Sequence, residues 1–242
     1  MEKSNHRSVQ GEVKAGAGTA TNGAVSPNTR RLALAALLVS LYVAANSIPI
    51  DAFIGGAGFI TAGIILLPVV SGLLRPRAAF IAAVLASIGL LAFQLSIIPI
   101  FGFYGLLVPT MGIVLGSLGF HRSLAYPAVY IVLGAVWYVL FSGGTIFWLV
   151  PYALVIGLIA AKQARIFKLG KKGDLTIFCF VATMCELVTM NIGSISLLNL
   201  PGPAWLIITP FMFLERAVAV VGSSSILFGL LRLKGPLRLE GI

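Results

Sequence analysis

Three ionisable side chains stand where an apolar chain has least room for them. Glu186 lies midway along an uninterrupted apolar run at 175–197, and Glu215 and Arg216 interrupt the next one, 205–231. An ionisable group at mid-bilayer costs at least ~2.5–3.5 kcal/mol on insertion scales, so such residues face a bundle interior and take a partner. Glu186 is eleven residues from the start of its run, and Arg216 is eleven from the start of the next. Antiparallel neighbours of these lengths bring both to the middle, where an ion pair is within reach. Glu215 and Arg216 are successive, hence about 100° apart on a helix. The spacing therefore predicts that one carboxylate neutralises Arg216 while the other is left to meet a proton, a cation, water or a polar ligand. Three roles are open to the trio: an ion-pair lock, a substrate or ion contact, or catalysis.

A second set gathers at the opposite ends of the apolar runs from the basic residues. It comprises Asn46, Ser47, Asp51, the Gly-rich segment 55–58, Gln94, Ser96, Tyr104, Asn191, Ser194 and Asn199. With Trp137, Tyr138, Phe147, Trp148 and Trp205 these residues have the composition of a small-molecule pocket, apolar with few polar contacts. An interfacial aromatic belt with solvated loops accounts for the same residues without a ligand. Asp51, Gln94, Tyr104 and Asn191 join the buried charges as the expected substrate contacts.

Ala36, Ser40 and Ala44 form a third set, recurring every fourth residue with Ala33 beside them. Small residues at this spacing let helix backbones approach closely in lipid. They serve either internal packing or docking to a separate membrane subunit.

Signatures of other chemistries are missing. There is no Walker A loop and no His-Glu-x-x-His or Gly-x-Ser-x-Gly. His6 and His121 lie outside the apolar runs, so imidazole and thiolate cannot build a metal site. Cys179 and Cys185 are six residues apart, about 9 Å along a helix, too far for a disulfide. Neither catalysis nor a cofactor is expected. A lipid-modifying enzyme would need its polar site at headgroup level, and the buried charges sit deeper.

The elements that position these residues follow from composition. Of 242 residues 59% are hydrophobic and only 10% charged, and mean hydropathy is +1.04. Soluble domains carry about 25% charged residues, so this is an all-α, polytopic membrane composition. The net charge of +10 is explained by basic residues at helix ends, so nucleic acid is not an expected partner. Residues 1–29, rich in Gly, Ala, Ser, Thr and Asn, read as a disordered cytoplasmic tail. A helical bundle is expected over 30–234 and a short tail over 235–242.

Eight apolar runs follow the tail: 32–49, 57–74, 78–95, 103–120, 124–141, 145–161, 175–197 and 205–231. Each is near the ~20 residues that cross a 30 Å hydrocarbon core. With the N-terminus cytoplasmic, Arg75, Arg77, Arg122, Lys162, Arg165, Lys168, Lys171 and Lys172 fall in inner connections, and Arg232, Lys234 and Arg238 follow the last run. The outer connections hold only Asp51. This is the positive-inside pattern. It predicts eight spans in the plasma membrane with both termini cytoplasmic; six spans remain the alternative, by losing the pair at 124–161. Pro68, Pro109 and Pro151, each after two apolar residues and 41 and 42 residues apart, suggest a repeat that Pro210 continues. Each is expected to kink a helix interior.

Three segments resemble the substrate-binding S components of energy-coupling factor transporters. Arg30-Arg31-Leu-Ala-Leu-Ala-Ala-Leu-Leu-Val-Ser-Leu resembles the family's basic, then Ala-rich, first helix. Ser-Ile-Pro-Ile at 47–50, with the Gly-rich stretch to Phe59-Ile60-Thr61-Ala62-Gly63, resembles its ligand-capping first loop. Gly72-Leu-Leu-Arg-Pro-Arg-Ala-Ala-Phe-Ile resembles its second-to-third helix turn, where the family more often has Gly-Pro-Arg. The resemblance covers about residues 30–122, and the family usually has six spans. It implies that Ala36, Ser40 and Ala44 dock a membrane coupling subunit served by ABC ATPases. It also implies that segment 51–58 and the outer helix ends contact a vitamin-like ligand or a metal. The expected function is a small-molecule-binding transport subunit in contact with membrane lipid. The alternative is a lone ion-coupled carrier using Glu186 or Glu215.

Overall fold

A computed structural model describes residues 27–49, 61–93, 98–166 and 169–237. Among these the chain is helical, with no strand and one isolated bridge between Pro49 and Thr61. The helices are α1 (Pro27–Ala45), α2 (Gly63–Leu73), α3 (Pro76–Ala92), the short α4 (Ile98–Phe101), α5 (Leu107–His121), α6 (Ala125–Phe141), α7 (Val150–Gln163), α8 (Lys171–Ser196) and α9 (Gly202–Leu237). Turns of 3₁₀-helix at Gly102–Leu106 and Ile146–Leu149 lead into α5 and α7. Each of the eight apolar runs contains one main helix.

Their lengths differ more than the hydropathy suggests. Four helical stretches are long and apolar enough to cross a membrane: Gly102–His121, Ile146–Gln163, Lys171–Ser196 and Gly202–Arg232. The apolar parts of α1, α2, α3 and α6 are shorter. The 11 residues of α2 span about 16 Å, roughly half a hydrocarbon core. Nine of them are buried, so α2 is enclosed by protein along its length. The first helix begins at Pro27, inside the stretch read as tail; residues 1–26 lie outside the described residues.

The prolines need a correction. Pro109 is the third residue of α5 and Pro151 the second of α7, each just after a 3₁₀ turn. A first-turn N–H has no intrahelical acceptor, so proline costs nothing there and marks a helix start. Of the four, Pro68 and Pro210 lie inside their helices.

α8 is the axis of the bundle. It packs against α2, α5, α6, α7 and α9, and 72% of its most apolar stretch is buried, against 28% for α9. Two apolar cores meet on it. Leu175, Phe178, Cys179 and Ala182 join residues of α1, α2, α3 and α5 in one. Ile177, Val181, Met184, Cys185 and Val188 join α6, α7 and α9 in the other. Both cysteines are free and buried, one in each core.

Helices α5 and α8 run antiparallel at close range. A Cβ on Gly112 would stand 3.0 Å from the Glu186 Cβ, and one on Gly116 would stand 2.9 Å from the Ala182 Cβ. Each glycine is four residues from the other, as are Ala182 and Glu186, so the small-residue row of α5 lies along the Ala182–Glu186 row of α8. Absent side chains on α5 thus bring its backbone against the face of α8 that carries Glu186.

Candidate functional site: a polar row on the central helix

Glu186 follows Cys179 and Ala182 at helical spacing, so it continues the face that packs the first core. Arg216 has an equivalent place on α9. Trp205, Thr209, Met212, Arg216, Ala219, Ser223 and Leu227 are all buried and follow one another at three- or four-residue steps, one continuous inward stripe. The guanidinium is thus carried into the protein by the position of its residue on the helix.

There Arg216 meets both acids. Its Nη2 lies 2.7 Å from Glu215 Oε1, and its Nη1 lies 3.4 Å from Glu186 Oε2. Nη1 also donates to the Thr183 carbonyl at 2.6 Å. The three side chains are 4%, 14% and 10% exposed for Arg216, Glu186 and Glu215. The expectation of one surplus acid is therefore corrected: both carboxylates bracket the arginine. The 100° between successive residues separates their Cβ directions, but the long arginine stem curls back far enough to reach its neighbour. With both acids ionised the trio carries one net negative charge. Among the described residues the Arg216 Nε has no hydrogen-bond partner.

The polar row continues along α8. The Tyr104 hydroxyl donates to the Thr189 carbonyl at 2.7 Å, and the Tyr130 hydroxyl lies 2.8 Å from Thr189 Oγ1. Asn191 donates to the Tyr152 hydroxyl at 2.5 Å. Gly193 makes room for this arrangement, since a Cβ there would come 2.5 Å from the Tyr104 ring. Side chains from α6, α7, α9 and the 3₁₀ turn at Gly102–Leu106 thus converge on the α8 segment Thr183–Asn191.

Asp51, Gln94, Ser96 and segment 55–58 lie outside the described residues. Asn46 is buried and holds α1 to the start of α2: it accepts from Thr61 Oγ1 and donates to the Tyr42 carbonyl, both at 2.8 Å. Gly63 leaves the space its side chain fills. The aromatic set divides. Tyr138, Trp148 and Trp205 are buried in one cluster, with Trp148 and Trp205 edge to face at 5.0 Å. Trp137 and Phe147 are exposed, 37% and 60%, as a lipid-facing or interfacial belt requires.

The face of α1 that carries Ala36, Ser40 and Ala44 is exposed, as are Ala33, Leu37 and Leu41 beside it. Leu38, Tyr42 and Ala45 are the buried residues of the same helix.

Three features escaped the sequence reading: the Thr189 hub with Tyr130, the Asn191–Tyr152 pair, and the Gly112–Gly116 row. The last had a readable signal, Gly-x-x-x-Gly inside an apolar run. The other two join residues 59 and 39 positions apart, and no local pattern encodes such pairings.

No protein-family model, curated protein or solved structure matches this chain.

Proposed function

We propose that this chain is the small-molecule-binding membrane subunit of an uptake system of the energy-coupling factor type. In this reading it crosses the plasma membrane eight times with both termini cytoplasmic. It takes a vitamin-like molecule or a metal as substrate and depends on a membrane coupling subunit and ABC ATPases for energy. The observation that carries the proposal is the α1 surface. A helix that buries Leu38, Tyr42 and Ala45 inside the bundle turns Ala36, Ser40 and Ala44 outward. Small residues facing lipid gain nothing from lipid, whereas they permit the close approach of another helix. The ion-pair trio supports the same reading, because both acids already contact Arg216.

The second reading is a lone carrier coupled to a proton or cation through the trio. It is favoured by the trio's composition, two carboxylates against one guanidinium. The two separate in reconstitution. The small molecule that copurifies in gentle detergent is first identified by mass spectrometry and then offered to liposomes containing the chain alone. The subunit reading expects binding without gradient-driven accumulation. Accumulation by the chain alone, abolished by Glu186→Gln, would favour the carrier.

A further inference from the structure

At the end of the bundle where basic residues gather, a cavity of about 730 Å³ opens between the ends of α5 and α7, the Phe228–Arg232 stretch of α9, Leu124 just before α6 and the first two turns of α8. Four cations line it, Lys162, Lys171, Lys172 and Arg232, against one acid, Asp174. Lys162 pairs with Asp174 at 2.7 Å, so the positive excess falls to Lys171, Lys172 and Arg232. The Arg232 guanidinium lies 4.2 Å from the Phe228 ring centre, over its face. The remaining wall is apolar: Phe120, Phe178, Phe228 and Leu231 lead from the charged rim into the bundle. Phe120 and Phe178 pack ring to ring at 4.7 Å. The first turn of α8, which begins at Lys171, has no side-chain cap on its N–H groups. That end of a helix adds favourable potential for an anion already drawn by the cations.

A cationic rim above an apolar wall, at the end of a membrane-helix bundle, matches one kind of molecule. We propose that this cavity binds the phosphate headgroup of an anionic glycerophospholipid, with its upper acyl carbons against Phe120, Phe178, Phe228 and Leu231. Basic pockets between membrane helices hold such headgroups, and the volume is within the range of small-molecule sites, roughly 300–1,000 Å³. A free phosphate ester would match the rim but not the wall. The inference rests on the chain being a membrane protein and is independent of the transport reading.

The test uses the full chain in nanodiscs of mixed phosphatidylcholine and phosphatidylglycerol, with bound lipid counted by native mass spectrometry after detergent release. Retained phosphatidylglycerol is expected to be enriched about tenfold over the bilayer ratio. Lys171→Gln with Arg232→Gln should return it to that ratio. Both residues are exposed, so the fold is expected to survive; circular dichroism checks it. Arg75→Gln with Arg77→Gln removes two cations outside the cavity and should leave the enrichment in place. Equal loss in both double variants would mean general surface charge and overturn the proposal. So would displacement of the lipid by glycerol phosphate at equal concentration, since the apolar wall would then contribute nothing.

Discussion

Arg216 and Glu215 are neighbours in sequence and partners in space, with Nη2 and Oε1 2.7 Å apart. The contact is shorter than the 3.4 Å to Glu186 on the facing helix. Arg216 therefore brings its own counter-ion along α9, while the Thr183 carbonyl and Glu186 fix it to α8. Two acids and one carbonyl around one guanidinium make an arrangement whose energy depends on all of its members being present.

Removing the cation alone should be the most damaging change in the trio. Arg216→Met leaves Glu186 and Glu215 buried without their positive partner, which costs about 3–5 kcal/mol in buried pairs. Replacing all three by leucine removes the charges together and should recover most of that loss. The melting temperature of the detergent-solubilised protein reads both. An Arg216→Met protein as stable as the parent would show that the ion pairs contribute nothing.

Two glycines should respond to alanine with opposite signs. At Gly116 a Cβ would stand 2.8 Å from Ser71 Oγ and 2.9 Å from the Ala182 Cβ, so Gly116→Ala should destabilise by separating α5 from α8. At Gly157, inside α7, a Cβ meets nothing within 4 Å. Gly157→Ala should therefore stabilise by up to about 1 kcal/mol through helix propensity. The same thermal melts check the pair, and a shared direction would contradict the packing described for α5.

These two predictions also mark what was legible in the sequence. Glu186 opposite Arg216 followed from equal offsets along successive apolar runs. The eight helical segments followed from hydropathy and turn residues. The double bracketing of Arg216 did not, because backbone angles alone do not limit a side chain with four rotatable bonds. Burial of α2 was hidden for a related reason: a short run enclosed by protein and a lipid-facing run are equally apolar. Pro109 and Pro151 were read as kinks because sequence gives a proline's position in an apolar run, not the turn at which the α-helix begins.

The tyrosines around α8 should divide structural from binding roles. Tyr104→Phe loses one hydrogen bond to the Thr189 carbonyl and should cost about 0.5–1.5 kcal/mol. Asn191→Leu leaves the hydroxyl of Tyr152, a buried residue, without its amide partner, and should cost about 1–3 kcal/mol. If the row contacts the transported molecule, Tyr104→Phe should also weaken ligand-dependent thermal stabilisation. Unchanged stabilisation in a folded Tyr104→Phe protein would place the ligand elsewhere.

Docking of a partner subunit on the outward face of α1, as proposed, is open to a copurification experiment. The tagged chain is extracted from its own cells in gentle detergent, and its bound proteins are identified by mass spectrometry. Ala44→Leu and Ser40→Leu are compared with the parent. Both positions are exposed, so the melting temperature should be unchanged. A second membrane protein and an ATPase should copurify with the parent but not with the leucine variants. A parent chain that carries neither protein, or variants that retain both in full, would contradict it.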